Sequence, residues 1–299
     1  MKFSIVTPVY NGEKYIKETI ESVLSQEGDF EIEYIIRDGC STDKTIEIIK
    51  KYDTLLKEKK YPVRCNEVTF SFVSEKDNGM YNAINKGFSQ ASGDVYAWIN
   101  SDDKYLSKAF QKIAKTFSTF QEVDWLKGNI FLTDENSKIT QKNPCYIYNQ
   151  DWIRLGIYGR YAYFISQESV FWRSSLWKKI GKIDEKFKLA GDYYLWTQFA
   201  KYTPLWSLDA PLSCFRKRQG QLSEDSKTYQ KEQKIIVPPL KDFNTFIIRA
   251  FFWFRMKAPA SFEPFLFRLY KIVFQKRNRF YVKMKNSSPE IEKAHSFIA

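Results

Sequence analysis

The sequence predicts an α/β fold, a mostly parallel sheet covered by helices on both faces. Short β-rich apolar runs alternate with stretches whose apolar residues recur at helical spacing, which argues for βαβ units. Polar residues cluster at the carboxyl ends of those runs, where sheets of this kind bind ligands. Hydrophobic residues make up 43% of the 299 and aromatics 17%, enough to bury a core and too much for a disordered chain.

Phe3 to Thr7 reads as the first strand and stops at Pro8. Glu13 to Gln26 carries Ile16, Ile20, Val23 and Leu24 at helical spacing. Tyr34 to Ile36 is strand-like and ends at Arg37-Asp38-Gly39; Ser41-Thr42-Asp43 then offers N-cap chemistry for a helix through Ile46, Ile48 and Ile49. Val68 to Val73 is a third strand. Gly79 to Ala91 is a helix with Ala83, Ile84 and Phe88 inward, and Val95 to Ile99 is a fourth strand. Further on, Ser107 to Phe117, Ser174 to Ile180 and Asp192 to Lys201 read as helices. Trp125 to Thr133, Ser169 to Arg173 and parts of Leu205 to Phe215 read as strands. The character changes after Pro238-Pro239. This divides the chain into an α/β domain over 1–238 and a basic, aromatic-rich helical extension over 239–299.

Lys and Arg number 47 against 35 Asp and Glu, a net charge of +12. That balance points to a polyanion: nucleic acid, nucleotide phosphates or an anionic membrane. Nucleic acid is not expected, because the charge concentrates in one terminal segment and no recognition motif accompanies it. Cys40, Cys65, Cys145 and Cys214 form no CxxC pair, which suits a reducing cytosol and no structural zinc. The N-terminus has no secretory apolar region, and no run of about 18 apolar residues suggests a spanning helix.

In "YAWINSDDKYL", residues 96–106, an apolar strand delivers adjacent carboxylates, Asp102 and Asp103. Two such groups repel unless a cation lies beside them. A hard divalent ion takes one or two carboxylates together with substrate phosphates. The other open reading is that one of them caps the helix that follows. The one histidine, His295, is far away, so zinc chemistry is not expected. In "LAGDYYLWTQFA", residues 189–200, Gly191 permits a tight approach and Asp192 falls in the first turn of a helix. It is either an ordinary N-terminal carboxylate or a fixed base at a cleft.

Four stretches in order resemble family 2 glycosyltransferases of the GT-A fold, inverting nucleotide-sugar transferases. They are "SIVTPVYNGEKYIKETIESVLSQ", "EYIIRDGCSTDKT", "SEKDNGMYNAINKGFSQASGDVYAWINSDD" and "FISQESVFWRSSLWKKIGKIDEKFKLAGDYYLWTQFA". The resemblance runs from residue 3 to roughly 225. It implies that Thr7, Pro8 and Tyr10 line the nucleotide-base pocket and that Asp38 bonds the base, usually uracil. Asp77 and the helix from Gly79 would lie beside base and ribose. Asn100, Ser101, Asp102 and Asp103 overlie the DxD region, with Asp102 and Asp103 as the implied ligands of Mn²⁺ or Mg²⁺. Asp192 matches the general base, and Gln167, Gly191, Tyr193 and Trp196 fall where sugar and acceptor meet. Arg218 stands nearest a position that often holds a diphosphate-side histidine; it either binds diphosphate or is a surface charge. Asn100 departs from the pattern by being neutral. The QxxRW motif of processive members is absent, which implies one sugar per acceptor.

The implied function is transfer from a nucleotide-diphosphate sugar, UDP-sugar favoured, to a hydroxyl of a glycan or lipid-linked acceptor in polysaccharide biosynthesis. The alternative is a catalytically altered nucleotide-sugar binding or scaffold protein. Residues 241–285 carry eleven basic and two acidic residues with interleaved aromatics, split by Pro259. They read either as an interfacial anchor on an anionic membrane, peripheral on its cytoplasmic face, or as helices packed on the main domain or on a second subunit in a homodimer.

Overall fold

The computed structural model describes residues 1–239, 243–274 and 280–294. Strand β1 (Lys2–Val9) is central. It pairs in parallel with β2 (Glu27–Asp38) on one side and β4 (Val95–Trp98) on the other, and β3 (Arg64–Ser74) lies parallel outside β2. Helices α1 (Ile16–Leu24), α2 (Thr45–Lys57) and α3 (Met80–Gln90) connect them. Beyond β4 the sheet continues through β8 (Val170–Arg173), antiparallel to both neighbours, then β6 (Trp125–Thr133) and β9 (Trp206–Arg216). A hairpin of β10 (Phe280–Lys285) and β11 (Ser288–Lys293) adds to the β9 edge, completing the order β11-β10-β9-β6-β8-β4-β1-β2-β3. Two short strands stand off this path: β5 (Lys104–Tyr105) on β9 and β7 (Ile139–Lys142) on β6. The remaining helices are α4 (Ala109–Thr119), α5 (Gln150–Arg154), α6 (Ser174–Ile180), α7 (Gly191–Phe199), α8 (Ser226–Ile236), α9 (Phe243–Lys257) and α10 (Glu263–Phe274).

Alternation along the strands builds a core on each face. Phe3 and Ile5 of β1 point to the side covered by α1 and α4, where the Phe3 and Phe110 rings stack at 4.9 Å. Val6 points to the opposite side, where Trp98, Trp125 and Trp172 surround Trp196 at centroid distances of 5.7, 5.7 and 5.9 Å. The register sets Val9 opposite Asp38 and Asp38 opposite Ser74, so three strand ends share one edge. Val6 opposite Trp98 brings the β4 end to the same edge.

The structure departs from the sequence reading beyond the short added elements α5, β5 and β7. β2 and β3 begin at Glu27 and Arg64, earlier than their apolar runs suggest, because their first halves are polar on the open face. Helix α8, which no apolar periodicity announces, follows β9. The segment read as a helical extension contains α9 and α10 and then a hairpin that continues the sheet. Its turn, Asn286-Ser287, has φ of 47° and 66°, the left-handed pair that a tight two-residue hairpin needs. Lys241, Lys276, Arg277, Arg279 and His295 lie outside the described residues.

Candidate active site

At the end of β1 the chain emerges with Tyr10, 65% exposed. A side-chain carbon placed on Gly39 would stand 3.6 Å from the Tyr10 ring and 3.0 Å from Asp77 Oδ2. Tyr10, the backbone of Gly39 and the Asp77 carboxylate therefore lie side by side at this sheet edge. Asp77 Oδ1 accepts from Gly79 N at 2.8 Å, and Gly79 enters α3 with φ of 109°, a conformation that favours glycine.

Three residues expected to line the nucleotide pocket are buried beneath this group. Thr7 is fully enclosed, its hydroxyl 3.0 Å from that of Tyr34. Asp38 is buried, and its carboxylate accepts from the Ser41 amide and hydroxyl and from Ser74 Oγ at 2.6 Å. Its acceptor capacity goes to bracing the turn that follows β2. Pro8 is buried beside them.

The turn after β4 answers the question of the paired aspartates. Ile99 N still bonds Val6 O, after which Asp103 N closes back on Asn100 O at 3.1 Å. Thr19 of α1 pins the turn by donating to the carbonyls of Ser101 and Asp103. Asp103 is 1% exposed; its Oδ1 accepts from Arg216 N at 2.9 Å and its Oδ2 has no partner. Burial, with the charges of Asp102 and Glu168, pushes its carboxyl well above the carboxylate range. Asp103 thus turns inward against Arg216, and of the two expected metal ligands only Asp102 stays partly exposed. Asp102 is the partner left at the cleft, its Oδ2 2.7 Å from Arg218 Nε. Ser101 is partly exposed beside it. Asn100 donates to Gln167 Oε1 at 3.3 Å, and its own Oδ1 is buried with no partner.

Gln167 opens a one-turn 3-10 segment, 167–169, and its amide also donates to Trp98 O at 2.6 Å. It braces the β4 end. Next to it, Glu168 is a buried carboxyl that burial lifts to about 7, with Lys127 pulling down and Asp192 and Asp102 pushing up. The sequence reading passed over Glu168. A lone carboxylate at the entry to the apolar run of β8 was the available signal.

Asp192 sits in the first turn of α7. A side-chain carbon on Gly191 would stand 2.6 Å from the Tyr81 ring, so only glycine lets α3 approach this closely. Tyr81 in turn donates to Leu189 O at 2.7 Å. Asp192 Oδ1 accepts from Tyr193 N at 2.7 Å and from Tyr229 OH of α8 at 3.2 Å. Burial raises its pKa to about 6, against those two hydrogen bonds, and the Glu232 charge adds to the rise. Glu232, also from α8, accepts from the amides of Lys188, Leu189 and Ala190 at 2.8, 2.9 and 2.8 Å. It holds the chain entering α7, where donors are left unpaired and negative charge is favoured. Tyr193 and Trp196 point elsewhere. The Tyr193 hydroxyl donates to Gly156 O at 2.9 Å and Trp196 lies inside the tryptophan cluster; both line a small cavity with Phe164 and Tyr229, behind the Asp192 carboxylate that Tyr229 bonds.

Residues 4–179 match the family model described as glycosyl transferase family 2. The chain belongs to glycosyl transferase family 2. An uncharacterised glycosyltransferase of Rickettsia typhi is 24% identical over 205 residues, covering 68% of this chain and 60% of that one. The poly(ribitol-phosphate) β-N-acetylglucosaminyltransferase TarS of Staphylococcus aureus is 36% identical over 120 residues, 39% of this chain and 19% of TarS. The chain thus spans less than two thirds of the length of these relatives. A crystal structure of S. aureus TarS residues 1–349 with UDP-GlcNAc shares the fold at a TM-score of 0.58 and 21% identity, over 90% of this chain and 79% of that one. The family 2 chain described here has the same mixed α/β architecture, a mostly parallel sheet between helices with a helical segment near its C-terminus.

Within this family 2 chain, Tyr229→Phe tests the local electrostatics. Asp192 is faced by Tyr229 and Glu232 of α8, by Tyr81 of α3, and feels Glu168. Removing the Tyr229 hydroxyl removes a donor that favours the carboxylate, so the Asp192 pKa rises above about 6. The acid limb of any Asp192-dependent rate is expected to move to higher pH, with roughly two- to tenfold loss near pH 6 and near-full recovery around pH 8. A pH–rate profile superimposable on wild type would contradict this.

Proposed function

We propose that the chain transfers one glycosyl unit, with inversion, from a nucleotide-diphosphate sugar to a hydroxyl of a glycan or lipid-linked acceptor. The observation that carries this is Asp192: a helix-terminal carboxylate raised to about 6, held from two sides and available as a base at neutral pH. Tyr10 offers an exposed ring for a base to stack on, and Asp77 beside it accepts a base N–H. A UDP-sugar is the favoured donor, and TarS, whose structure carries UDP-GlcNAc, makes that compound the first to try.

The residues fit a divalent ion held mostly by the donor. Asp102 supplies one carboxylate, the Asn100 Oδ1 is a buried oxygen without a partner, and diphosphate oxygens complete a hard-ion set. Among the described residues no group of three or more His, Cys, Asp or Glu exists that would hold an ion by itself. A bound Mg²⁺ or Mn²⁺ would offset charge on the departing diphosphate. Arg218 adds a guanidinium at the same carboxylate, suited to diphosphate oxygens. Asp192 accepts the acceptor proton as the hydroxyl oxygen attacks the anomeric carbon from the face away from the nucleotide. Lipid-linked acceptors of this chemistry would place the enzyme peripherally at the cytoplasmic face of a membrane, and a homodimer is compatible with the same reading.

A second reading, a nucleotide-sugar binding scaffold, draws on the neutral Asn100 and on Arg218 engaging Asp102. The two separate in one experiment. UDP release from a UDP-sugar panel is measured with Mn²⁺ or Mg²⁺ and glycan acceptors, beside thermal stabilisation by UDP. Metal-dependent release above the no-enzyme rate is expected. Stabilisation by UDP without release on any donor would favour the scaffold, and neither signal would defeat both readings.

A further inference from the structure

Helix α9 is apolar on two opposite sides. Ile248, Phe251 and Phe252 are buried, and Phe252 meets the Trp152 ring edge-on at 5.0 Å. Residues 246, 250, 253, 254 and 257 return at i, i+4, i+7, i+8 and i+11, and every one is exposed. On that stripe Phe246 is 66% exposed, Trp253 62% and Phe254 50%, with Lys257 at its end. α10 repeats the arrangement: Leu266 and Phe267 face in, while Phe265, Leu269 and Arg268 face out. Phe262 is exposed in the connection between the helices.

A helix apolar all round is fully enclosed or meets a nonaqueous surface, and α9 is enclosed on one side only. The outer stripe is aromatic, cationic and nearly free of acid. Lys257 and Arg268 are its exposed cations, and the sequence of 243–274 has one acidic residue, Glu263. That composition complements an anionic lipid headgroup layer, with aromatic rings at the acyl boundary and basic groups above them. Among the described residues no helix is long and apolar enough to cross a membrane, so the contact would be interfacial.

The structure also narrows the region. Lys283 and Lys285, counted in the basic segment, lie on β10 and pair with Glu292 and Glu290 across the hairpin, at 3.7 Å and 2.8 Å. Their charge is compensated locally, so the hairpin is not part of the surface. We infer that the outer faces of α9 and α10, from Phe246 to Leu269, form a monotopic docking surface for an anionic lipid bilayer.

The test uses the full chain and vesicle co-sedimentation, with zwitterionic vesicles compared with vesicles rich in phosphatidylglycerol. Wild type is expected to partition to the anionic vesicles, and less so as salt rises. The triple variant Phe246→Ser, Trp253→Ser, Phe254→Ser is expected to lose about tenfold or more in partitioning, since binding scales with the apolar area inserted. These side chains are exposed, so circular dichroism and the urea midpoint should stay unchanged. Tyr202→Ser, an exposed aromatic 54% open elsewhere, is the control and should bind like wild type. Equal binding by the triple variant and wild type, or no wild-type binding to anionic vesicles, overturns the inference. Self-association that the triple variant abolishes, without vesicle binding, also overturns it by showing that a second copy of the chain covers the face. UDP release on a soluble acceptor should be unaffected in the triple variant, so the transferase reading and this surface fail separately.

Discussion

Replacing Asp192 by Asn is expected to lower turnover by about 10²- to 10⁴-fold while UDP still stabilises the fold. The amide is nearly isosteric and still accepts from Tyr193 N and Tyr229 OH through its oxygen, so the α7 entry is preserved. What is lost is basicity. In wild type the carboxylate forms as pH rises through about 6, so activity should climb across that range and level off above it. In Asp192→Asn that rise should vanish along with the rate. A variant within about tenfold of wild type would remove Asp192 from the chemistry, and attention would then pass to Glu168, the other buried carboxyl with a pKa near neutrality. Loss of UDP stabilisation in the same variant would mean that Asp192 shapes the donor site and is not the proton acceptor.

Arg216→Ala is expected to destabilise the fold by about 2–4 kcal/mol, from the cavity and the lost hydrogen bonds, read as a lower urea midpoint. The Arg216 side chain is enclosed, and its guanidinium is divided among four partners. Nε donates to Asp102 O at 2.8 Å, Nη1 to Glu135 O and Ser137 Oγ at 3.0 and 2.8 Å, and Nη2 to Glu18 at 3.0 Å. The group also lies 4.5 Å over the Tyr15 ring. Truncation leaves the Asp102 and Glu135 carbonyls without these donors and opens a cavity at the junction of α1, β9 and the aspartate turn. Glu18 carries the pH signature. Burial pushes its pKa up, yet bonds from Ser137, Arg216 and Lys104 hold it down at about 2. A depressed carboxylate contributes stability that is present above its ordinary 4.5 and is lost as pH falls toward 2. That acid-sensitive component should shrink in Arg216→Ala. Arg216→Lys keeps a charge without the planar fork and should fall between the two. A loss below about 1 kcal/mol would show that the site does not depend on this anchor.

The positions of these residues show what could be read in advance. The alternation of β1 through β4 with α1 to α3, and the polar ends that mark one sheet edge, follow from period and local turn chemistry. Asp192 was readable because glycine and acid at a helix start form a short, local signal. Arg216 was not readable. Its partners Asp102, Glu135 and Glu18 come from three other segments, and nothing in "CFRKRQ" distinguishes an enclosed arginine from the neighbouring Arg218 at the cleft. Tyr229 and Glu232 were missed for the same reason: α8 is polar on most sides, and its value lies in what it touches.

The sequence by itself determined the α/β order, the sheet edge at which the polar strand ends gather, and the unusual aromatic and basic segment near the C-terminus. Those features are carried by residues within a few positions of one another. Only the tertiary structure decided which aspartate faces outward, that Trp196 and Tyr193 belong to the core, and that one stripe of α9 is packed while the other is bare. Each of those depends on which side of an element is covered. In a sheet enclosed on both faces, covering segments arrive from far along the chain, so local pattern does not encode the choice. The adjacent Asp102 and Asp103 show this most directly. Chemically identical and one residue apart, they differ because the amide of Arg216, 113 positions later, accompanies one of them into the interior.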